Sequence, residues 1–452
     1  MYEHTSAPMI RQRGSLLLVV DDDHAGTNLP ELPSDPLVTT VVVATAEPPQ
    51  TLVLRALLNS ALAPGCATVR LVLAGAGAAD ADGWCPARQL ADSLGLPVIA
   101  PDGPVIALPG MLFVVGGEWW TFRPGAGPLA EGPRQPAPAW QRAVDRPAGA
   151  RLVATPIPAG VWLHAGDEPI DADDPVLAVP SDPARPTVVI GRPGSADPDP
   201  RAVFEYVRAL APAAGDELVL VPYGPGGRFV DDLAARLPGD AVAAVRVDAG
   251  LVGVEADGAA FRIVVDDAGR PAWRPPAQRL RYYGGDAPRL LEWRAPMPHL
   301  PALDVGTQRL GDGWLVEVVR CGLWVRPEQV DDDTVRRMPA HPDRLLLLVG
   351  TPTAPPAATA WQAVRSLLDA LPPNELAHVQ LVLPAGTAQP DGFPDAWSLT
   401  PDADVMPVPP GRPAGASRAG GVLDGGAAPE WSDGSDCREG HDDDPARQPA
   451  LP

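Results

Sequence analysis

Short apolar runs recur along the chain in a constant order. A glycine and a first apolar run stand at 14–20, 160–164 and 322–325, and this pattern aligns Gly14, Gly160 and Gly322 with one another. A second apolar run follows each of them, at 38–44, 187–190 and 345–349. Because these runs are β-branched or aliphatic without polar alternation, they are typical of strands buried on both faces of a sheet. The pattern predicts three related units.

An amphipathic helix that is opened by proline follows the second strand of every unit. The three helices are predicted over residues 48–62, 198–210 and 355–371. Apolar residues at i, i+3, i+4 and i+7 give each helix one buried face, as in Val203, Tyr206, Val207 and Leu210. A third apolar run follows, at 69–75, 217–224 and 378–386. Strand–helix–strand order with short loops predicts βαβ units with a parallel sheet.

The repeat defines the predicted domain organisation. The first two units continue into a second helix, at 86–94 and 229–237, and then into a β-rich segment that ends in tryptophan. The third unit stops short of these parts and is predicted to be incomplete. We therefore expect an α/β fold of three repeated units with mainly parallel sheets, over residues 1–146, 147–294 and 295–400. Residues 401–452, rich in proline and glycine, are predicted to form a disordered acidic tail.

The charge balance excludes several classes of partner. Acidic residues number 57 against 35 basic ones, which gives a formal net charge of −22. A field of this sign repels phosphate backbones and anionic lipids, so we expect no nucleic-acid or membrane partner and infer a protein partner. The chain has no lysine, which excludes a P-loop lysine and a pyridoxal-phosphate Schiff base. Without a signal peptide or a long apolar span, the expected location is the cytoplasm, with signal-less export left open.

One glycine-rich turn comes close to the dinucleotide-binding fingerprint GxGxxG. Gly75, Gly77 and Asp80 occupy its three fixed positions between a predicted strand and a predicted helix, and Asp102 follows further on. Asp80 replaces the third glycine and would place a carboxylate where a pyrophosphate binds. A tight crossover turn is therefore the favoured interpretation, and no cofactor is predicted. Nucleotide binding by Gly75, Gly77 and Asp80 stays open as an alternative function.

An acidic loop supplies the catalytic alternative. Asp21, Asp22 and Asp23 precede His24 just beyond the first predicted strand, at the sheet edge where α/β proteins hold ligands. Consecutive carboxylates point in different directions, so a solvated loop is favoured and no metal site is predicted. The alternative is a hydrolase with a site between units, built from this loop and His164. Because the chain also lacks the GxSxG nucleophile motif, no catalytic residue is assigned.

Tryptophan is unusually frequent, with 12 residues against 6 Phe and 5 Tyr. Trp162 and Trp324 stand at equivalent places in the first strands of the second and third units. Trp119 and Trp120 match Trp273 by their position shortly before an Arg-Pro pair. Core packing is the simplest interpretation, and a binding platform is the alternative because Trp is a favoured interface anchor. These five tryptophans are the predicted interaction residues.

The first unit also resembles a known family. The segments VRLVLAGAG (69–77), PARQLADSLGLPVIAPDGP (86–104) and GGEWWTFRPG (116–125) look like the caspase-like α/β unit of the CHAT and self-cleaving toxin peptidase type. Such units occur in actinobacterial toxin-type multidomain proteins. The resemblance implies a catalytic His after the strand before the first helix and a catalytic Cys at the end of the next strand.

Neither catalytic residue of that family is present in any unit. The positions for the His and the Cys fall near Thr45 or Ala46 and Ala74 or Gly75 in the first unit, at Arg192 and Pro222 in the second, and at Thr351 and Pro384 in the third. The resemblance therefore implies degenerate units without the dyad and without peptidase activity. We predict a non-catalytic interaction or scaffold module that is an accessory or degenerate part of a bacterial toxin-type multidomain protein.

Overall fold

Three large sheets organise the computed structural model. It describes residues 8–21, 29–149, 151–166, 169–171, 173–224, 229–239, 241–254, 260–284, 286–311, 313–341, 343–394, 396–399 and 405–407. All of these residues belong to one compact unit. No helix in these ranges is long and apolar enough to cross a bilayer.

The first unit contains a seven-stranded sheet and a three-stranded sheet. Its strands are Met9–Arg13 (β1), Leu16–Val20 (β2), Val38–Ala44 (β3), Thr68–Val72 (β4), Val98–Pro101 (β5), Val105–Leu108 (β6), Met111–Val114 (β7), Trp119–Phe122 (β8), Leu129–Gly132 (β9) and Arg134–Gln135 (β10). Its helices are Thr51–Ala61 (α1), Pro86–Leu94 (α2) and Gln141–Val144 (α3). The large sheet has the order β1-β2-β3-β4-β5-β8-β9, and β10-β7-β6 form the small one.

The second unit repeats this architecture. Its strands are Val153–Ile157 (β11), Gly160–His164 (β12), Thr187–Ile190 (β13), Glu217–Pro222 (β14), Ala244–Asp248 (β15), Leu251–Val254 (β16), Ala260–Val265 (β17), Pro271–Trp273 (β18), Ala277–Tyr282 (β19) and Arg289–Trp293 (β20). Its helices are Pro200–Leu210 (α4) and Val230–Arg236 (α5). The large sheet has the order β11-β12-β13-β14-β15-β19-β20, and β16-β17-β18 form the small one.

The third unit contributes one eight-stranded sheet in chain order. Its strands are Ala302–Asp304 (β21), Thr307–Gly311 (β22), Trp314–Val319 (β23), Gly322–Pro327 (β24), Leu345–Val349 (β25), Val379–Pro384 (β26), Ala396–Leu399 (β27) and Val405–Pro407 (β28). Its helices are Asp333–Arg337 (α6), Ala358–Ala370 (α7) and Pro373–Leu376 (α8). The strand β28 lies within the predicted tail, so the sheet extends past the predicted boundary at 400. The rest of that tail lies outside the described residues.

Each large sheet has parallel strands at its centre and antiparallel strands at its sides. The parallel series are β2 to β5, β12 to β15 and β24 to β27. The predicted α/β fold of repeated βαβ-containing units is confirmed. The predicted buried face of α4 is also present, because Val203, Tyr206, Val207 and Leu210 are all buried. The helices α1, α4 and α7 begin two or three residues after the predicted proline positions, because extended backbone leads into each helix.

The glycine alignment from the sequence is wrong by two residues in the first unit. Gly160 pairs with Thr187 and Gly322 with Leu346 on the neighbouring parallel strands. In the first unit the residue in this register is Leu16, which pairs with Thr40. Gly14 instead lies in the turn between β1 and β2, with φ +60°. The two kinds of glycine therefore serve different purposes, a turn in one unit and close strand contact in the others.

Candidate functional site

A cleft of about 550 Å³ opens where β4 and β5 end in the first unit. We call it the carboxyl-edge cleft. Its wall includes Gly77 from the glycine-rich turn, Arg88 from α2 and Asp102 beyond β5. Trp120 of β8 supplies aromatic surface, whereas Phe122 of the same strand is only 3% exposed. Ligands of open α/β sheets bind at this edge, because the loops that follow parallel strands converge there. The cleft is therefore the candidate functional site of the first unit.

The glycine-rich turn packs tightly against β5. The Gly77 amide donates to the Pro101 carbonyl at 2.8 Å, and the Ala78 amide donates to the Gly75 carbonyl at 3.0 Å. A Cβ on Gly77 would lie 2.7 Å from the Ala100 carbonyl oxygen, so this position excludes any side chain. Since these two amides already have acceptors within the chain, the geometry favours the crossover-turn interpretation over a phosphate cradle.

Asp80 closes its own loop and does not line the cleft. Its Oδ1 accepts hydrogen bonds from the amides of Asp82 at 3.0 Å and Trp84 at 2.8 Å. An aspartate that binds amides two and four residues ahead is a local turn former. Of the three residues in the motif, the structure thus brings Gly77 to the cleft and directs the Asp80 carboxylate elsewhere.

Asp102 fixes the wall of the cleft through both carboxylate oxygens. Its Oδ1 accepts from the Glu118 amide at 2.7 Å, and its Oδ2 accepts from the Trp120 Nε1 at 2.9 Å. These bonds join the end of β5 to the start of β8. Asp102 therefore has a structural role, which its spacing from the glycine-rich turn did not predict.

Glu118 carries a proton more readily than an ordinary glutamate. Burial, followed by the carboxylates of Asp102 and Asp145, raises its pKa. A carboxyl whose pKa is raised by folding stabilises the folded state while protonated, and that contribution is lost as the pH rises through its folded pKa. The ionised Glu118 side chain therefore weakens the protein at neutral pH.

Glu118→Gln is accordingly expected to stabilise the protein at pH 7. The gain should disappear below about pH 4, where the carboxyl is protonated in the folded and unfolded chains alike. Urea unfolding at both pH values measures it, with Glu47→Gln as the control for removing one exposed negative charge. An equal gain at both pH values would contradict the assignment.

Arg88 is the residue of this cleft that the sequence analysis missed. Its Nη1 donates to the Ala126 carbonyl at 3.0 Å, and its guanidinium lies 5.6 Å from the centre of the Phe122 ring. Among the described residues it has no acidic partner within ion-pair distance. The available signal was an arginine in the first turn of a helix that follows a parallel strand, which places a cation at the carboxyl edge.

The acidic loop after β2 is only partly described. Asp21 accepts a hydrogen bond from the Ala46 amide at 2.7 Å, while Asp22, Asp23 and His24 lie outside the described residues. His164 is buried in β12, where its Nε2 lies 2.8 Å from the Thr155 hydroxyl. Across the described ranges, no group of three or more His, Cys, Asp or Glu side chains could hold a metal ion.

Four of the five predicted interaction tryptophans lie in the core. Trp119, Trp162 and Trp324 are fully buried and Trp273 is 6% exposed. Trp120 is partly exposed and faces the carboxyl-edge cleft. Core packing therefore accounts for four of them, and an interaction role for Trp120 stays a prediction.

The equivalence of Trp162 and Trp324 is confirmed by their hydrogen bonds. The Trp162 Nε1 donates to the Gly191 carbonyl at 2.6 Å, and the Trp324 Nε1 donates to the Gly350 carbonyl at 2.7 Å. Both carbonyls directly follow the next parallel strand. Each indole thus stabilises the strand end at which a ligand-binding loop would start.

The proposed match between Trp120 and Trp273 is wrong. Trp120 lies opposite Ala100 in the large sheet, where the second unit has Leu280 opposite Val247. Trp273 belongs instead to β18 of the small sheet. The shared Arg-Pro sequence after these residues reflects similar local composition and not an equivalent position.

The positions expected for a His/Cys dyad lie at the ends of adjacent parallel strands. Thr45 and Ala46 follow β3 and Ala74 follows β4, and these two strands pair in parallel. In the second unit Ile190 pairs with Pro222, so Arg192 and Pro222 again stand at neighbouring strand ends. The Arg192 guanidinium lies 5.1 Å from the centre of the Trp162 ring.

The second unit has its own version of the carboxyl-edge cleft, where β14 and β15 end. There the turn between β23 and β24, formed by Arg320 and Cys321, enters from the third unit and leaves a cavity of about 100 Å³. Arg320 pairs with Asp231 at 3.0 Å, and Asp231 also accepts from the Tyr282 hydroxyl at 2.7 Å. Burial raises the pKa of the Cys321 thiol to about 12, so this thiol stays protonated at neutral pH.

No protein-family model, curated protein or solved structure matches the chain.

Proposed function

We propose that this protein is a non-catalytic interaction or scaffold module whose partner is a protein. One observation supports this most directly. Both described carboxylates that follow central strands of the first sheet, Asp21 after β2 and Asp102 after β5, accept hydrogen bonds from groups of their own unit. In α/β enzymes the corresponding strand ends present reactive groups to the substrate.

The cysteine that lines the cleft supports the same proposal. Cys85 lines the cleft but is 3% exposed, and its thiol lies 3.5 Å from the Ala76 carbonyl as a hydrogen-bond donor. A reactive cysteine needs an accessible sulfur and a nearby base that takes up its proton. Among the described residues, no histidine lines this cleft. A thiol in this setting is a packing group.

The same proposal includes an origin for the units. We infer a degenerate relative of the caspase-like α/β unit in toxin-type multidomain proteins, in which the fold is kept and the chemistry is lost. Support comes from the place of the dyad positions, which stand at neighbouring strand ends in the first two units while carrying neither His nor Cys. A scaffold retains the packing of such a unit without its reactive groups.

The proposal predicts that removing the Asp21 or the Asp102 carboxylate destabilises the protein. Asp102→Ala is expected to lower the free energy of unfolding by about 1–3 kcal/mol, because it leaves the Glu118 amide and the Trp120 indole N–H without an acceptor. Asp21→Ala removes one solvent-exposed hydrogen bond from the Ala46 amide and is expected to lower it by about 0.5–1.5 kcal/mol. Asp82→Ala, which removes an exposed carboxylate from the same unit, is the control and should change stability by less than about 0.5 kcal/mol. Urea unfolding of the full chain provides the measurement.

A gain in stability would contradict the proposal. Residues held for substrate chemistry often cost stability, so replacing them stabilises the protein. A gain in stability on either substitution would argue for a functional site. A rise of several degrees in the melting midpoint with nucleotides, NAD, coenzyme A or divalent cations would likewise contradict the non-catalytic proposal.

A further inference from the structure

The carboxyl-edge cleft has the size and the position of a small-molecule site. Its volume of about 550 Å³ falls within the range of about 300–1,000 Å³ that ligand pockets occupy. It lies beyond the carboxyl ends of β4 and β5, with glycines such as Gly77 and Gly103 in its wall.

The corresponding place in the second unit is covered. Trp120 and Phe122 in the first unit stand in the register of Leu280 and Tyr282 in the second. In the second unit the turn that carries Arg320 lies over this surface and fills most of the space. The first unit has no such cover among the described residues, and Trp120 remains partly exposed in the cleft.

The charged side chains of the cleft indicate which class of ligand it would bind. Arg88 uses Nη1 for the Ala126 carbonyl, and within the described chain its other guanidinium nitrogens make no hydrogen bond. Several described arginines lack an acidic partner, and Arg88 is the arginine that lines this cleft. Its planar fork matches a carboxylate, with which it forms charge-assisted hydrogen bonds.

The other polar groups of the cleft disfavour the binding of polyphosphates. Asp102 shares the cleft with Arg88, so the two side chains together contribute no net charge. The Gly77 amide, which a phosphate would need, already donates to the Pro101 carbonyl. A single negative charge near Arg88 fits this balance, whereas the several charges of a nucleotide would face the Asp102 carboxylate.

We propose that the carboxyl-edge cleft binds a carboxylate carried on an aromatic or apolar body, with the carboxylate at Arg88 and the body on Trp120. A free organic acid and the carboxyl terminus of a peptide share this chemistry. The proposal goes beyond the scaffold function and does not depend on it.

The test uses 4-fluorophenylacetate and the full chain, followed by fluorine NMR. Binding should saturate with a Kd of about 1 mM or tighter, and the neutral 4-fluorophenylacetamide should bind at least about tenfold more weakly. Arg88→Gln should weaken binding of the acid at least about tenfold. Arg123→Gln, which removes an exposed charge from the same unit and does not line the cleft, should leave it unchanged.

A second variant tests the location without a change of charge. Ala79 is exposed and lines the cleft, so Ala79→Trp should fill the space and abolish binding while the chain still folds. The tripeptide Ala-Ala-Phe, with a free or an amidated carboxyl terminus, then distinguishes a peptide carboxyl terminus from a free organic acid as the ligand. Tighter binding of the free tripeptide than of 4-fluorophenylacetate identifies a peptide terminus, and the reverse order identifies a small acid.

Three results would overturn the proposal. They are no saturable binding up to about 10 mM acid, equal binding by Arg88→Gln and the parent chain, and full binding by Ala79→Trp. None of these results bears on the stability changes expected for Asp21→Ala and Asp102→Ala. Failure of this proposal is therefore distinguishable from failure of the scaffold function.

Discussion

Replacing Gly322 by alanine is expected to destabilise the third sheet by about 3 kcal/mol or more. A Cβ at this position would lie 2.2 Å from the Leu346 carbonyl oxygen and 2.9 Å from the Leu346 amide nitrogen. Both atoms belong to the backbone of β25, so β24 and β25 would have to separate. The φ of +146° adds strain for any residue with a side chain.

Gly160→Ala should have the same effect on the second sheet. Its Cβ would lie 2.2 Å from the Thr187 carbonyl oxygen. Because three packed units need not unfold in one step, hydrogen exchange followed strand by strand is the appropriate measurement. We expect the loss of protection from each glycine variant to centre on its own sheet.

Gly14→Ala is the matched control. Gly14 has a φ of +60°, and a Cβ there would meet no heavy atom within 4 Å, so the cost should be about 1–2 kcal/mol from the backbone conformation alone. If Gly14→Ala cost as much as Gly322→Ala, the three glycines would be equivalent. The register that places Leu16 opposite Thr40 would then be wrong.

Arg134→Met is expected to cost about 3–5 kcal/mol, because Arg134 is a fully buried cation at the junction of the first and second units. Its Nη2 donates to the carbonyls of Ile157 at 2.7 Å and of Gly160, and its Nη1 pairs with Asp145 at 3.4 Å. Burial lowers the pKa of Arg134 to about 10, which leaves it charged at neutral pH. Methionine fills the volume but supplies no donor.

Two further variants show where the loss comes from. Arg134→Met combined with Asp145→Asn should recover part of the stability, because the Asp145 carboxylate is then not left without its cation. Arg123→Met, at an exposed arginine of the same unit, should be close to neutral. Urea unfolding compares the variants, and an Arg134→Met protein as stable as the parent chain would refute a role for this residue in joining the units.

The secondary structure could be predicted well because its signal is local. The predicted strands at 38–44, 187–190 and 345–349 coincide with β3, β13 and β25, and the predicted helix at 86–94 coincides with α2. Uninterrupted apolar runs and a spacing of three to four residues are properties of short segments, and a short segment can be read without its neighbours. The parallel arrangement followed from the helix between each pair of strands.

The candidate site could be predicted only in part. The glycine-rich turn correctly pointed to the end of β4, yet Arg88 and Phe122 of the same cleft are 34 positions apart in the sequence and carry no shared motif. Their meeting depends on β8 pairing with β5, an antiparallel contact across an inserted small sheet. Nothing in the local pattern specifies that pairing.

By itself, the sequence determined the α/β class, the threefold repeat, the parallel strands with the helix between them in each unit, and the absence of lysine chemistry. Only the tertiary structure decided that Leu16 is the counterpart of Gly160, that Trp162 and Trp324 are core residues, and that Arg88 faces an open cleft. The physical reason is the range of the interactions. Periodicity acts over a few residues, whereas register, burial and charge pairing depend on groups that folding brings together from distant parts of the chain.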